Sequence, residues 1–281
     1  MSTHTEQARE TVLRTGYSAD FLGTGVEVPT LDEIIRDDAV LLEGSEVIPY
    51  THFSLSLSTS RRLARWVGWN IDGADLLLLS RAGLAFAKDP RLPAETQTGN
   101  ELYAGNRLDR GHLARRSGLL WGERPEAQQA NRDSFYYGNI APQMDDFNQS
   151  SQDGLWGRLE NALYEDVDVQ DLRASVFAGP VFGPADRLYR DVALPAEYWK
   201  LLVFQEHGVL KARAFLLTQD LDQLRAVLAL DEFRVYQITI GELESRTLLH
   251  FPQAVHEAGT LPAVWAMSER KPLAVMSDIF W

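Results

Sequence analysis

Cysteine is absent from this chain of 281 residues. Disulfide scaffolds, thiolate metal sites and thiol nucleophiles are therefore excluded. Positive charge is in deficit: 27 Lys and Arg stand against 40 Asp and Glu, a net charge of −13. Phosphate binding runs on Lys and Arg, so the charge of the body as a whole argues against a nucleic-acid partner. Long apolar runs are missing as well. Leu76–Leu79 is far too short to span a bilayer and reads as a buried strand, so no membrane association is expected. The first ten residues hold no basic region followed by an apolar stretch, which predicts no signal peptide and the cytoplasm as the default location. Export by a partner system is compatible with that expectation. Neither internal repeats nor low-complexity tracts occur. His52, His207, His250 and His256 include no pair at zinc-site spacing and read as structural or surface residues.

What is present has the make-up of an ordinary globular protein. Hydrophobic residues at 45% and charged residues at 24% allow a sizeable core. The expected organisation is an N-terminal helical or extended arm over residues 1–47 and a single domain over 48–281. Phe53–Leu57 alternates apolar and polar residues, the pattern of a half-buried strand. Leu63–Ile71 reads as a second strand, with Trp66 and Trp69 on opposite faces, so that only one of them is expected fully inward. Leu76–Ser80 is a further candidate strand. Pro125 opens a short helix, Tyr136–Pro142 reads as irregular, and Trp156–Tyr164 reads as a helix with Trp156, Leu159 and Leu163 on one face. Ala174–Ala178, Trp199–Phe204, Lys211–Leu217 and Val235–Ile240 form a strand-rich last third, with a hairpin at Glu206-His207-Gly208.

Chemistry concentrates between residues 106 and 160. Asp109-Arg110-Gly111-His112 sets a candidate general base beside a cation able to hold an anionic substrate. Arg107, Arg110, Arg115, Arg116 and Arg124 make this stretch locally basic on an acidic body. A basic cleft of that kind binds phosphate with steep salt dependence. Further along lie Asn139-Ile140-Ala141-Pro142-Gln143, Phe147-Asn148-Gln149 and Trp156-Gly157-Arg158-Leu159-Glu160. Each residue also has a plain reading. His112 alone would be a packed histidine, Asn148 a helix cap, Glu160 a solvated helix residue, and Asp109 beside Arg110 an ion pair holding the turn. Arg115 and Arg116 read as a basic rim in reach of substrate. Most of the seven tryptophans read as core rather than as platforms for stacked bases.

These motifs, taken in order, resemble the DNA/RNA non-specific endonuclease family, of the endonuclease G kind. The resemblance runs from about Tyr50 to Phe251, with support from Phe177-Ala178-Gly179-Pro180 and Pro195-Ala196-Glu197-Tyr198-Trp199-Lys200. It implies an α+β fold, a central antiparallel β-sheet flanked by helices, with a ββα-metal active-site unit. His112 would sit on the β part and a metal-binding Asn on the following helix. The implied reaction is Mg2+-dependent hydrolysis of DNA and RNA to 5′-phosphate products, with Mn2+ as a substitute ion. His112 would take a proton from the attacking water, Arg110 grip phosphate, Asn139 orient the site, Asn148 bind metal and Glu160 hold a metal-bound water. Arg81 matches a phosphate-contacting position of the family.

Two departures stand out. Family members carry Asn-Gln-x-x-Trp, whereas here six residues separate Gln149 from Trp156, so Gln152 falls at the ligand's spacing from the tryptophan. Asn148 is favoured by its Phe147-Asn148-Gln149 context and its spacing from Asn139, with Gln152 as the alternative ligand. Tyr164 stands where some members have Arg. The alternative function is a catalytically silent member that binds nucleic acid or protein; a third is a phosphodiesterase of other substrates. The family resemblance also implies a homodimer. A nuclease endangers its host, so an inhibitor or activating partner is expected, with residues 1–46 as the place to look.

Overall fold

The computed structural model describes residues 13–144, 173–184, 186–219, 221, 234–262, 272–273 and 278–281. Asn148, Gln152, Trp156, Glu160 and Tyr164 lie outside the described residues.

Runs of β-branched, aromatic and aliphatic residues build the frame. In chain order the strands are β1 (Thr30–Leu31), β2 (Ile48–Pro49), β3 (Phe53–Leu57), β4 (Ala64–Asp72), β5 (Leu108–His112), β6 (Ile140–Met144), β7 (Arg173–Val181), β8 (Arg187–Tyr189), β9 (Val192–Leu194), β10 (Glu197–Glu206), β11 (Val209–Thr218), β12 (Val235–Ile238) and β13 (Leu249–His250). The helices are α1 (Glu33–Arg36), α2 (Asn100–Tyr103), α3 (Arg124–Asp133), α4 (Ile240–Thr247) and α5 (Gln253–Ala258). Among the described residues, seven strands form one antiparallel sheet in the order β12-β11-β10-β7-β4-β3-β2. The architecture is therefore α+β on a central antiparallel sheet, as the motifs imply. The β10–β11 hairpin closes at His207 and Gly208, whose φ values of 50° and 78° suit the right-handed twist of the strands it joins.

Both faces of this sheet are covered. One apolar cluster gathers Leu55, Trp69, Tyr198 and Phe215 with Leu108, Leu113 and Ile140. The other gathers Trp66, Phe177, Trp199 and Leu201 with Val26, Leu31, Leu243 and Val255. Two sequence expectations fail for this reason. Trp66 and Trp69 are each 1% exposed, one in each cluster, although their alternation predicts one outward. All five residues of β3 are buried, including Ser54 and Ser56, where half-burial is expected.

Residues 13–22 form no helix. Gly16 bridges to Thr51, its N–H donating to the Tyr50 carbonyl at 2.8 Å, and Leu22 is buried in the second cluster. Beyond them the chain wraps the domain, with β1 pairing β13. Leu76–Ser80 is no strand: Leu78 is fully exposed, and the backbone is tied by the Leu77 N–H to the Leu120 carbonyl at 2.6 Å. Tyr136–Pro142 is more regular than expected, giving a 3-10 turn (Tyr137–Asn139) and then β6. Pro125 opens α3 as expected. After β12, Thr239 caps α4, its hydroxyl accepting from the Glu242 N–H at 3.1 Å, which ends β12 before Ile240. No helix among the described residues is long and apolar enough to cross a membrane.

Candidate active site

On the first cluster's side of the sheet, β5 and β6 form a two-stranded antiparallel ribbon, with Leu108 opposite Met144 and His112 opposite Ile140. Side chains alternate along β5, so Arg110 and His112 share one face while Asp109 and Gly111 share the other. The expected Asp109–Arg110 ion pair is therefore replaced: Arg110 turns to the Asn100 side chain and lies over the rings of Phe86 at 5.4 Å and Tyr103 at 5.2 Å. Gly111 has a packing reason. A Cβ there would run into the buried Gln143 carboxamide reaching across from β6.

Asn139 fastens the chain just past His112. The Leu113 N–H donates to its carbonyl at 2.9 Å. Its fully buried side chain accepts from the Ala114 N–H at 2.8 Å and donates to the Ala114 and Ser134 carbonyls, each at 3.1 Å. Asn139 thus sets the direction in which β5 leaves His112 and ties it to the end of α3.

His112 packs against Phe86, with ring centroids 5.7 Å apart, and edge-on to Phe135 at 5.4 Å. The residue as a whole is half-buried, but its Nε2 is sealed from solvent and has no hydrogen-bond partner among the described residues. Burial, then the charges of Arg116 and Arg81, push its pKa down to about 4. The ring is neutral at physiological pH.

Arg116 begins a 3-10 turn (Arg116–Leu119) and donates from Nη1 to the Leu79 carbonyl and to the Asn131 Oδ1, both at 3.1 Å. Burial and the charge of Arg81 push its guanidinium below the usual value. Arg81 is exposed on the loop joining β4 to α2. Arg115, half-buried, immediately precedes the turn. The structure thus brings Arg81, Arg110 and Arg116 around His112, with Asn139 behind. Asn148, Gln152 and Glu160 lie outside the described residues, and no group of three or more His, Asp or Glu among the described residues could hold a metal ion.

Three residues of this site escape a reading of the sequence. Phe86 stands between Arg110 and His112. Asn131 on α3 holds Arg116. Gln143, inside a motif already singled out, is fully buried with neither amide atom hydrogen-bonded among the described residues. The Pro142-Gln143 pair was a usable signal; Asn131 has none. Among the described residues the other histidines have structural partners or positions: His52 stacks on Trp121 at 3.5 Å with Nδ1 2.8 Å from the Leu119 carbonyl, His250 and His256 face Asp32 and Glu244, and His207 sits in the β10–β11 turn.

Comparison with known proteins bears on this arrangement. The family model described as DNA/RNA non-specific endonuclease matches residues 35–258. The uncharacterized protein y4fB of Sinorhizobium fredii is 38% identical over 211 residues, which span 71% of this chain but 32% of y4fB. A nuclease of Nostoc sp. is 28% identical over 201 residues, 69% of each chain. Among solved structures, the crystal structure of the EndoG/EndoGI complex matches with a TM-score of 0.59 at 17% identity, covering 75% of this chain and 86% of that one. That last likeness is one of fold.

Proposed function

Because this chain belongs to the DNA/RNA non-specific endonuclease family, we propose that it hydrolyses phosphodiester bonds of DNA and RNA at the site around His112. The observation that carries the reading is His112 itself: an imidazole kept neutral by burial and by the charges of Arg116 and Arg81, its Nε2 without a protein partner among the described residues. A neutral imidazole accepts a proton from water, and the water so activated attacks phosphorus. Arg110 and Arg81 hold the phosphate as this happens, and Arg115 and Arg116 extend the cationic rim. Asn139 keeps the ring's backbone from drifting. The proposed products carry 5′-phosphates.

A hydrated divalent cation fits this surrounding. The sealed His112 Nε2, without a partner among the described residues, is a group that ordered water would satisfy. Asn148 is the proposed direct ligand, with Gln152 as the alternative and Glu160 acting through water. Bound there, Mg2+ or its substitute Mn2+ would stabilise charge on the scissile phosphate and leaving oxygen. A homodimer is the proposed assembly. The solved EndoG neighbour is held by EndoGI in a study of its inhibition, which supports a protein inhibitor as the kind of control such an enzyme would have.

Digestion of plasmid DNA and of RNA at low salt, with Mg2+ or with EDTA, tests the reading. Cleavage by the wild type that is abolished by EDTA, and reduced by about 100-fold or more in a folded His112→Ala variant, is the expected result. Binding without cleavage under either metal would instead identify a silent binding member of the family.

A further inference from the structure

Arg116 is held by neutral oxygens. Among the described residues its partners are the Leu79 carbonyl and the Asn131 carboxamide, and no carboxylate cancels its charge. Asn131 is 5% exposed on the inner side of α3 and uses both ends of its amide. Its Oδ1 accepts from Arg116, and its Nδ2 donates to the Ser80 carbonyl at 3.0 Å. Ser80 immediately precedes Arg81, and its hydroxyl accepts from the Ala82 N–H at 3.0 Å, tightening the same turn. One side chain therefore touches two of the segments that carry arginines to His112. An aspartate of the same size would hold Arg116 equally well, but it would neutralise it and could not donate to Ser80.

We propose that Asn131 is a positioning residue that fixes Arg116 directly and Arg81 through its loop, so that both present uncompensated charge to a nucleic-acid backbone. The proposal rests on the reading of this site as one that holds phosphodiesters. Asn131 touches no reacting atom and acts only through the two arginines. A residue that merely pinned the loop would affect stability alone. A residue that sets cations for phosphate affects substrate affinity and its salt dependence while sparing the chemical step.

Asn131→Asp and Asn131→Leu in the full chain separate these roles. Binding of a fluorescent single-stranded oligonucleotide in EDTA is followed across a salt series, alongside kcat and KM with Mg2+ and thermal unfolding. Expected for Asn131→Asp is binding about tenfold weaker, the loss of one charge-assisted contact. The slope of log affinity against log salt becomes shallower by about one. KM rises in parallel, and kcat stays within about threefold of wild type, the part a positioning residue leaves alone. Asn131→Leu moves the same way with lower stability. Should Asn131→Leu fail to fold, Asn131→Asp decides alone. Wild-type affinity and salt slope in Asn131→Asp would overturn the proposal, whatever its melting temperature. A wild type that binds with a steep salt slope but does not cleave would sink the hydrolytic reading, and the binding series would still judge Asn131. A wild type that does not bind would overturn both.

Discussion

At the scale of single residues, the proposed reaction depends on keeping a histidine uncharged. His112 takes up a proton only near pH 4, whereas a histidine in the unfolded chain does so near 6.5. Between those values the unfolded chain binds the extra proton, so this residue makes folding stability fall as pH drops through that window. The proposed base stays competent over the same interval. The acid limb of kcat/KM is therefore expected well below 6.5. Arg116→Ala removes one positive neighbour, and the limb should move upward by part of the interval only, because burial is the larger cause. A pH–rate profile of both proteins checks this; an unshifted limb would remove Arg116 from the electrostatics of His112.

At the scale of elements, the ribbon of β5 and β6 positions His112, and buried polar contacts hold the ribbon in place. Asn139→Ala strips partners from the Ala114 N–H and from the Ala114 and Ser134 carbonyls. A loss of about 2–4 kcal/mol is expected from groups buried without partners, together with reduced kcat as the turn after His112 loosens. Denaturant unfolding and steady-state kinetics on the same preparation measure the two effects. In the main sheet, Gly179 on β7 lies against the Arg65 carbonyl, where a Cβ would collide with backbone. Backbone cannot swing aside, so Gly179→Ala should cost about 1–3 kcal/mol or more, read as a lowered melting temperature. A variant that melts with the wild type would mean that β4 and β7 can separate locally.

At the scale of the whole molecule, a net charge of −13 must coexist with the proposed polyanionic substrate. Arg81, Arg110 and Arg116 cluster at His112, so attraction acts over a short range while the rest of the body repels. Added salt screens both effects, but in the proposed complex the contacts made directly with phosphate would dominate. Cleavage at subsaturating substrate is expected to fall steadily as log salt rises. Activity that is flat or rising with salt would show that repulsion by the acidic body, rather than grip by the arginines, controls encounter.

The sequence by itself determined the strands rich in β-branched and aromatic residues, the His207-Gly208 hairpin, the start of α3 at Pro125 and the family to which Asp109-Arg110-Gly111-His112 belongs. These are local signals: residue type, turn chemistry and short spacing act within a few residues of one another. Tertiary structure alone decided that both Trp66 and Trp69 are buried, since alternation reports one covered face and this sheet is covered on two. It alone decided that Leu76–Ser80 is a loop, because a run of leucines says nothing about whether a strand partner is available. It alone joined Asn131 to Arg116 and to the loop bearing Arg81, contacts made through folding across 15 and 51 residues of chain. An amide that works by touching two distant segments leaves no periodicity to read; only the packing of α3 against them gives it a role.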